Sequence, residues 1–360
     1  MAQIVAIGLE NSKYATFKFI YIGLVSLISF HFWSYHGIPE RIYQILEILV
    51  STSLLFICLL NFEKLKNSFS QFKINVLLFI SLPLLSMFAA MAFHGQSLFL
   101  SFFALKTIFF WLLYYVLHIF NIPVIKLVKL MTFIGVTWAL ITIIQNYTYP
   151  HFWFYNRNGE DDQEFIRAGK YRFMIDPLHF GLFIILYFYN QYLLTKRSIL
   201  FTFVIIGLVG FYYYTTRQFI VGAVACMVIA YISQEGKNKI FSMLIIAITC
   251  GLLVYLKDLL FGEYIEITSD QLNSSDDIRL LSLNFWLFEY WPNWITVLIG
   301  NGFEHSSSNY GKEMLKVNLE YGYYRTDIGI FGTLSYFGIF YVINLLASLF
   351  KGLRNKYYTT

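Results

Sequence analysis

The chain has 360 residues, 58% of them hydrophobic and only 13% charged, with a mean hydropathy of +0.60. A soluble domain carries about 25% charged residues, so this composition excludes an ordinary water-soluble fold and points to lipid as the solvent. The formal net charge of +5 comes from basic residues scattered between hydrophobic runs, which argues against a nucleic-acid partner.

Aromatic residues make up 20% of the chain, and Tyr and Trp favour the membrane–water boundary, where one end of the ring is dry and the other wet. Cys58, Cys226 and Cys250 all lie inside apolar runs. They offer no disulfide to an outer loop and no metal-ligand spacing, so neither a metal nor another cofactor is expected. The first long apolar run suits a membrane anchor better than a cleavable signal peptide.

A helix needs about 20 apolar residues to cross the hydrocarbon. In chain order the candidates are Phe17–Trp33, Ile42–Leu60, Ile74–Phe93, Leu98–Phe120, Leu127–Ile144, Pro177–Leu194, Ile199–Tyr214, Phe219–Ile232, Ile240–Leu256 and Asp327–Phe350. The expected fold is therefore an all-α polytopic membrane protein of about ten transmembrane helices, forming one integral membrane domain over 1–360. The polar Thr215-Thr216-Arg217-Gln218 turn separates the seventh candidate from the eighth. No internal repeat or low-complexity tract is visible.

Positive residues in short loops set the orientation, because they stay on the cytoplasmic side. With both termini inside, the inner loops carry Lys64, Lys66, Lys73, Lys126, Lys129, Lys196, Arg197, Lys237 and Lys239, and the C-terminal tail adds Lys351, Arg354 and Lys356. Two long loops, over about 145–176 and 257–327, then fall outside, with the last helix following the second. The second is partly helical: Asp276 or Asp277 can cap a segment Ile278–Trp291 ended by Pro292, and another helix is expected over Tyr310–Leu319. The first of these segments, rich in Leu, Phe and Trp, suits a position along the membrane surface.

Arginine marks the outer face at Arg41, Arg157, Arg167, Arg172, Arg217, Arg279 and Arg325. The positive-inside bias disfavours these charges there, and arginine's planar fork fits phosphate or carboxylate bidentately. Paired loop charges are the plainer explanation, since Asp176, Glu304, Glu320 and Asp327 lie on the same side. Arg217 at the mouth of two short helices either faces the interior as a site or snorkels to headgroups. Lys106, inside the apolar Phe102–Phe110, reads as structural, either pairing with Glu47 or reaching a carbonyl. Asp176 is either a helix cap or an outer-face acid, and His179 an interior histidine. The stretch Gly300-Asn301-Gly302-Phe303-Glu304-His305 reads as a tight turn presenting polar groups to a ligand. No phosphate-loop lysine follows it. His31, His36, His94, His118 and His151 read as interfacial or structural.

Three of these patterns, in this order and on this face, resemble the O-antigen and capsular polysaccharide polymerases (Wzy type), which are similar to O-antigen ligases. Thr215-Thr216-Arg217-Gln218 before a small-residue helix looks like the family's Ser/Thr-Arg turn. Arg279 followed by Trp291 and Leu298-Ile299-Gly300-Asn301-Gly302 looks like its arginine, apolar stretch and GxG. Tyr324-Arg325-Thr326-Asp327-Ile328-Gly329 looks like its entry to the last long helix.

The resemblance implies a glycosyltransferase of the cell (inner) membrane. Such an enzyme joins oligosaccharide units carried on undecaprenyl pyrophosphate at the outer leaflet, with no metal or nucleotide sugar. A chain-length regulator and a flippase are implied partners alongside membrane lipids. Arg217 and Arg279, followed by Arg325 and Arg172, would stabilise the leaving pyrophosphate. Asp176, Glu304, His305 or Asp327 would take the acceptor proton, and Tyr324 and Asp327 would contact substrate. The absence of a clear His-Asn pair in the large loop points to a polymerase over a ligase. A transporter or flippase of a lipid-linked or anionic solute is the alternative from another class. It would ordinarily show repeats and broken helices, and Lys106 is the residue that favours it.

Overall fold

The computed structural model describes residues 12–67, 70–154, 166–167, 170–171, 173, 175–214, 217–232 and 278–354. Its helices, in chain order, are α1 (Ser12–Ser29), α2 (Glu40–Leu60), α3 (Lys73–His94), α4 (Leu98–Ala104), α5 (Leu113–Phe120), α6 (Val124–Thr148) and α7 (Leu178–Thr195). They continue with α8 (Ser198–Tyr213), α9 (Arg217–Ile232), α10 (Ile278–Asn284), α11 (Trp294–Ile299), α12 (Asn309–Tyr321) and α13 (Ile330–Arg354). A two-residue antiparallel ladder pairs Ile166 with Tyr171 and Arg167 with Lys170. The expected span Ile240–Leu256, the cap candidates Asp276 and Asp277, and Arg157 and Arg172 lie outside the described residues.

Four described helices are long and apolar enough to cross a membrane: α2, α3, α6 and Ile330–Gly352 of α13. A fifth crossing is present if the pair Leu98–Ala104 and Lys106–Phe120, bent by 55°, counts as one. Eight of the expected spans meet helices whose ends differ from expectation by a few residues, and the Leu98–Phe120 run is broken into two helices. The break sits beside Lys106. Its ammonium meets the Glu47 carboxylate of α2 at 2.8 Å, and its carbonyl accepts the Ser51 hydroxyl at 3.1 Å. Of the two partners open to Lys106, the Glu47 carboxylate is the one found.

α2 is inside-out by the standard of a soluble helix. Its inward stripe includes the polar Glu47 and Ser51 with Val50 and Leu54, while Ile45, Leu49, Phe56 and Leu60 are exposed. In water that apolar stripe would cost about 25 cal/mol per Å² of exposed surface; in lipid it costs nothing. This pattern is consistent with a membrane location.

The chain divides into two compact units, 1–44 with 122–270 and 45–121 with 271–360. The first is centred on Trp138 of α6, which packs with Phe211 of α8 and donates its indole N–H to the Ile175 carbonyl at 3.2 Å. Gly181 of α7 lets that helix approach closely, since a Cβ there would overlap the Trp138 ring. Small residues at such contacts are the usual device for tight packing in lipid.

The second unit is built on antiparallel α3 and α13. At one end Asn75 Nδ2 donates to Asn344 Oδ1 at 2.9 Å, Asn344 Nδ2 donates to the Asn75 carbonyl at 3.0 Å, and the Lys351 ammonium donates to Asn75 Oδ1 at 2.7 Å. Lys66 and Lys73 gather at this same end, where the Lys73 ammonium donates to the Lys66 carbonyl at 2.9 Å. At the other end α11 packs on both helices and α12 on α3. α13 departs from helical geometry at Gly338 (φ 77°, ψ 176°), where the Leu298 carbonyl of α11 occupies the space a side chain would need.

Candidate functional site

The 300–308 loop lies against the end of α3 because three groups hold it there. Gly300 and Gly302 adopt positive φ (83° and 79°), and a Cβ on either would overlap backbone of α13 or α3 respectively. Their N–H-bearing neighbours complete the fit: the Asn301 and Gly302 amides each donate at 3.0 Å, to the Ser335 and Tyr336 carbonyls. Asn301 is fully buried. The turn expected to present polar groups to a ligand therefore spends its asparagine on packing, and Glu304 and His305 after it are half-buried.

Gln96, just beyond α3 and buried, is the third anchor. Its Oε1 accepts the His305 amide at 2.8 Å and the Ser308 hydroxyl at 2.7 Å. Its Nε2 donates to the Ser101 hydroxyl and the Phe303 carbonyl, each at 2.9 Å. One buried amide thus satisfies groups on α4 and on both sides of Glu304. Ser308 in turn caps α12 by accepting the Gly311 amide at 2.9 Å.

Arg325 closes the site from the α13 side. Its guanidinium donates to Glu304 Oε2 at 2.9 Å and to the Tyr310 hydroxyl at 3.2 Å. Its carbon centre lies 4.1 Å from the Trp286 ring, 4.5 Å from Tyr336 and 5.0 Å from Tyr290. A desolvated cation over an aromatic face gains about 2 kcal/mol, and here several rings share one cation. Burial pulls the Arg325 guanidinium down, but its Tyr310 and Glu304 neighbours more than reverse this, so it stays cationic. Burial holds the Tyr290 and Tyr310 phenols neutral, well above their usual range. Trp286 sits in a π-helical stretch, Phe285–Glu289, a distortion that often marks functional sites.

His94 completes the layer. It stacks on Tyr310 at 4.1 Å, and its Nε2 lies 3.2 Å from Asn301 Oδ1. Because Asn301 Nδ2 donates to the Ser335 carbonyl, Oδ1 is the acceptor and the His94 Nε2 carries the hydrogen. His305 differs: its Nδ1 accepts the Ser307 amide at 3.2 Å, leaving the proton of the neutral ring on Nε2.

Of the residues expected from sequence, the structure brings Glu304 and Arg325 into contact, with His305 next to them in the loop. Arg325 turns inward to its own carboxylate rather than outward to a ligand. Asp327 and Tyr324 are exposed on the turn beside it, and the Asp327 amide donates to the Tyr324 carbonyl at 3.1 Å. Arg279 is exposed on α10, a helix that packs against the Arg325–Ile328 turn. Asp176 and Arg217 belong to the other unit. Asp176 is exposed, and Pro177 rather than Asp176 holds the N-cap position of α7. Arg217 opens α9, and its side chain lies outside the described residues.

The residues that sequence reasoning missed are Gln96, His94, Tyr310 and Trp286. Among the described residues, no group of three or more His, Cys, Asp or Glu could hold a metal ion. A scan against family models gives no match, and neither do searches of curated proteins and of solved structures.

Proposed function

We propose that this chain is a membrane glycosyltransferase that polymerises oligosaccharide units carried on undecaprenyl pyrophosphate at the outer leaflet. In this reading about ten helices span the membrane, both termini are cytoplasmic, and the 300–308 loop lies on the outer face. The observation that carries it is the Glu304–Arg325–His305 arrangement, clamped by Gln96 to one end of the long apolar helices α3 and α13. The gathering of Lys66, Lys73 and Lys351 at their opposite end agrees with a cytoplasmic side there.

The groups suit displacement of a lipid pyrophosphate. The acceptor hydroxyl attacks the anomeric carbon and gives its proton to Glu304, while the bond from that carbon to the phosphate oxygen breaks. Arg325, donating to Glu304 Oε2, holds the carboxylate aimed. The His305 Nε2–H is a donor to sugar or phosphate oxygen, and Arg279 is the cation for the departing pyrophosphate.

The test is a proteoliposome assay with the undecaprenyl-pyrophosphate-linked oligosaccharide, products being resolved by length. Long chains are expected from the natural sequence, and only unreacted units from Glu304→Gln. Normal chain lengths from that variant would remove Glu304 from the reaction.

A second reading, transport of a lipid-linked or anionic solute, is favoured by the 55° break between α4 and the following helix and by the Lys106–Glu47 pair beside it. Movement of substrate across liposomes without a new glycosidic bond would decide for it.

A further inference from the structure

A cleft of about 720 Å³ lies among α6, α7 and α8 of the first unit. Its two ends differ chemically. At one end are Lys129 in the second turn of α6, Arg197 immediately before α8, and Gln191 in the last turns of α7. Farther along α6 the lining becomes Val136 and Leu140, with Thr137 beside them. Among the described residues no carboxylate lines the cleft.

The dimensions match the chemistry. From Lys129 to Leu140 the α6 lining runs eleven residues, about 16 Å along a helix, and half of a hydrocarbon core is about 15 Å. A cleft with cations at one end and one leaflet's depth of apolar wall beyond them complements a phosphate headgroup with an acyl chain. We propose that this cleft binds one anionic phospholipid, its phosphate between Lys129 and Arg197 and an acyl chain along α6 toward Leu140. The proposal rests on the membrane reading but not on the transferase reading.

The test uses the full chain purified in neutral detergent, with phosphatidylglycerol or phosphatidylcholine added in mixed micelles. Thermal midpoint and native mass spectrometry are the readouts. Phosphatidylglycerol should raise the midpoint saturably and persist as a one-lipid adduct, while phosphatidylcholine should do neither. The double variant Lys129→Gln, Arg197→Gln should weaken the response at least about tenfold, two cations being lost from the headgroup. Val136→Trp should fill the cleft and remove the adduct with both cations intact.

Equal effects of the two lipids, or an unchanged response in the double variant, would overturn the proposal. Displacement of phosphatidylglycerol by an equimolar polyprenyl phosphate would overturn it in favour of an isoprenoid occupant. Release of the chain from membranes by alkaline carbonate would instead sink the membrane reading itself, which separates the two failures.

Discussion

Gln96 accepts the backbone N–H of His305 at 2.8 Å, across 209 residues of sequence. The loop carrying Glu304 is thereby fixed to the end of α3 by a side chain with no charge and no exposure. Loss of such an amide strands several buried partners at once, each costing about 1–3 kcal/mol. Gln96→Leu should therefore lower the thermal midpoint by several degrees in detergent and abolish chain elongation. Gln96→Glu keeps the acceptor for His305 but sets a carboxylate against the Phe303 carbonyl, so it should fail nearly as badly. A full-length product ladder from Gln96→Leu would show that the clamp is dispensable.

Arg325 is buried and Glu304 half-buried, so breaking their pair should cost about 3 kcal/mol, the low end for a buried pair. Arg325→Ala should be the most destabilising single change in the second unit. Arg325→Lys keeps the charge but loses the planar fork that reaches both Glu304 and Tyr310, so it should recover only part of the stability. The double variant Arg325→Met, Glu304→Gln should unfold less readily than Arg325→Ala, read as a coupling energy in a denaturation cycle.

The buried phenols set a pH window. Tyr290 and Tyr310 are raised in the folded chain, whereas unfolded tyrosine ionises near pH 10, about its model value. Their contribution is fully present below that pH and falls as pH rises above it, since only the unfolded chain then releases those protons. Thermal midpoints should accordingly be insensitive to these groups up to about pH 10 and decline beyond it. Tyr310→Phe should flatten the decline, and an identical slope in that variant would remove Tyr310 from the explanation.

Lys106 and Glu47 distinguish scaffold from pathway. Lys106→Met alone should destabilise by about 3 kcal/mol, because the buried Glu47 carboxylate loses the Lys106 ammonium. Lys106→Met with Glu47→Leu should restore most of that stability and leave polymer length unchanged. Loss of activity in the stable double variant would favour the transport reading.

Much of this architecture was legible because a membrane span announces itself locally. Apolar runs fixed α2, α3, α6 and α13 to within a few residues, and a lone lysine in Phe102–Phe110 called for an acid or a carbonyl and found the acid. The site was legible only where it, too, is local. Gly300 and Gly302 were seen as a turn, but which backbone crowds them depends on α3 and α13, far away in the chain. The same distance hid Gln96 and His94, ordinary residues whose roles arise from partners more than two hundred positions on. Arg325 looked like a ligand for phosphate because sequence does not reveal that Trp286, Tyr290, Tyr310 and Tyr336 converge on it. Nor did it foretell the break near Lys106, where neither proline nor glycine gives warning.

Gly338 divides the last helix into segments with different attachments. The segment before it carries Ser335 and Tyr336, whose carbonyls receive the Asn301 and Gly302 amides; the segment after it is tied to Asn75 through Asn344. The loop bearing Glu304 is tied to the former and, through Gln96, to the end of α3, while the lysine-rich end is tied to the latter. A side chain at Gly338 would meet the Leu298 carbonyl and press on both attachments, so this one position couples the placement of Glu304 to the anchorage at Asn75.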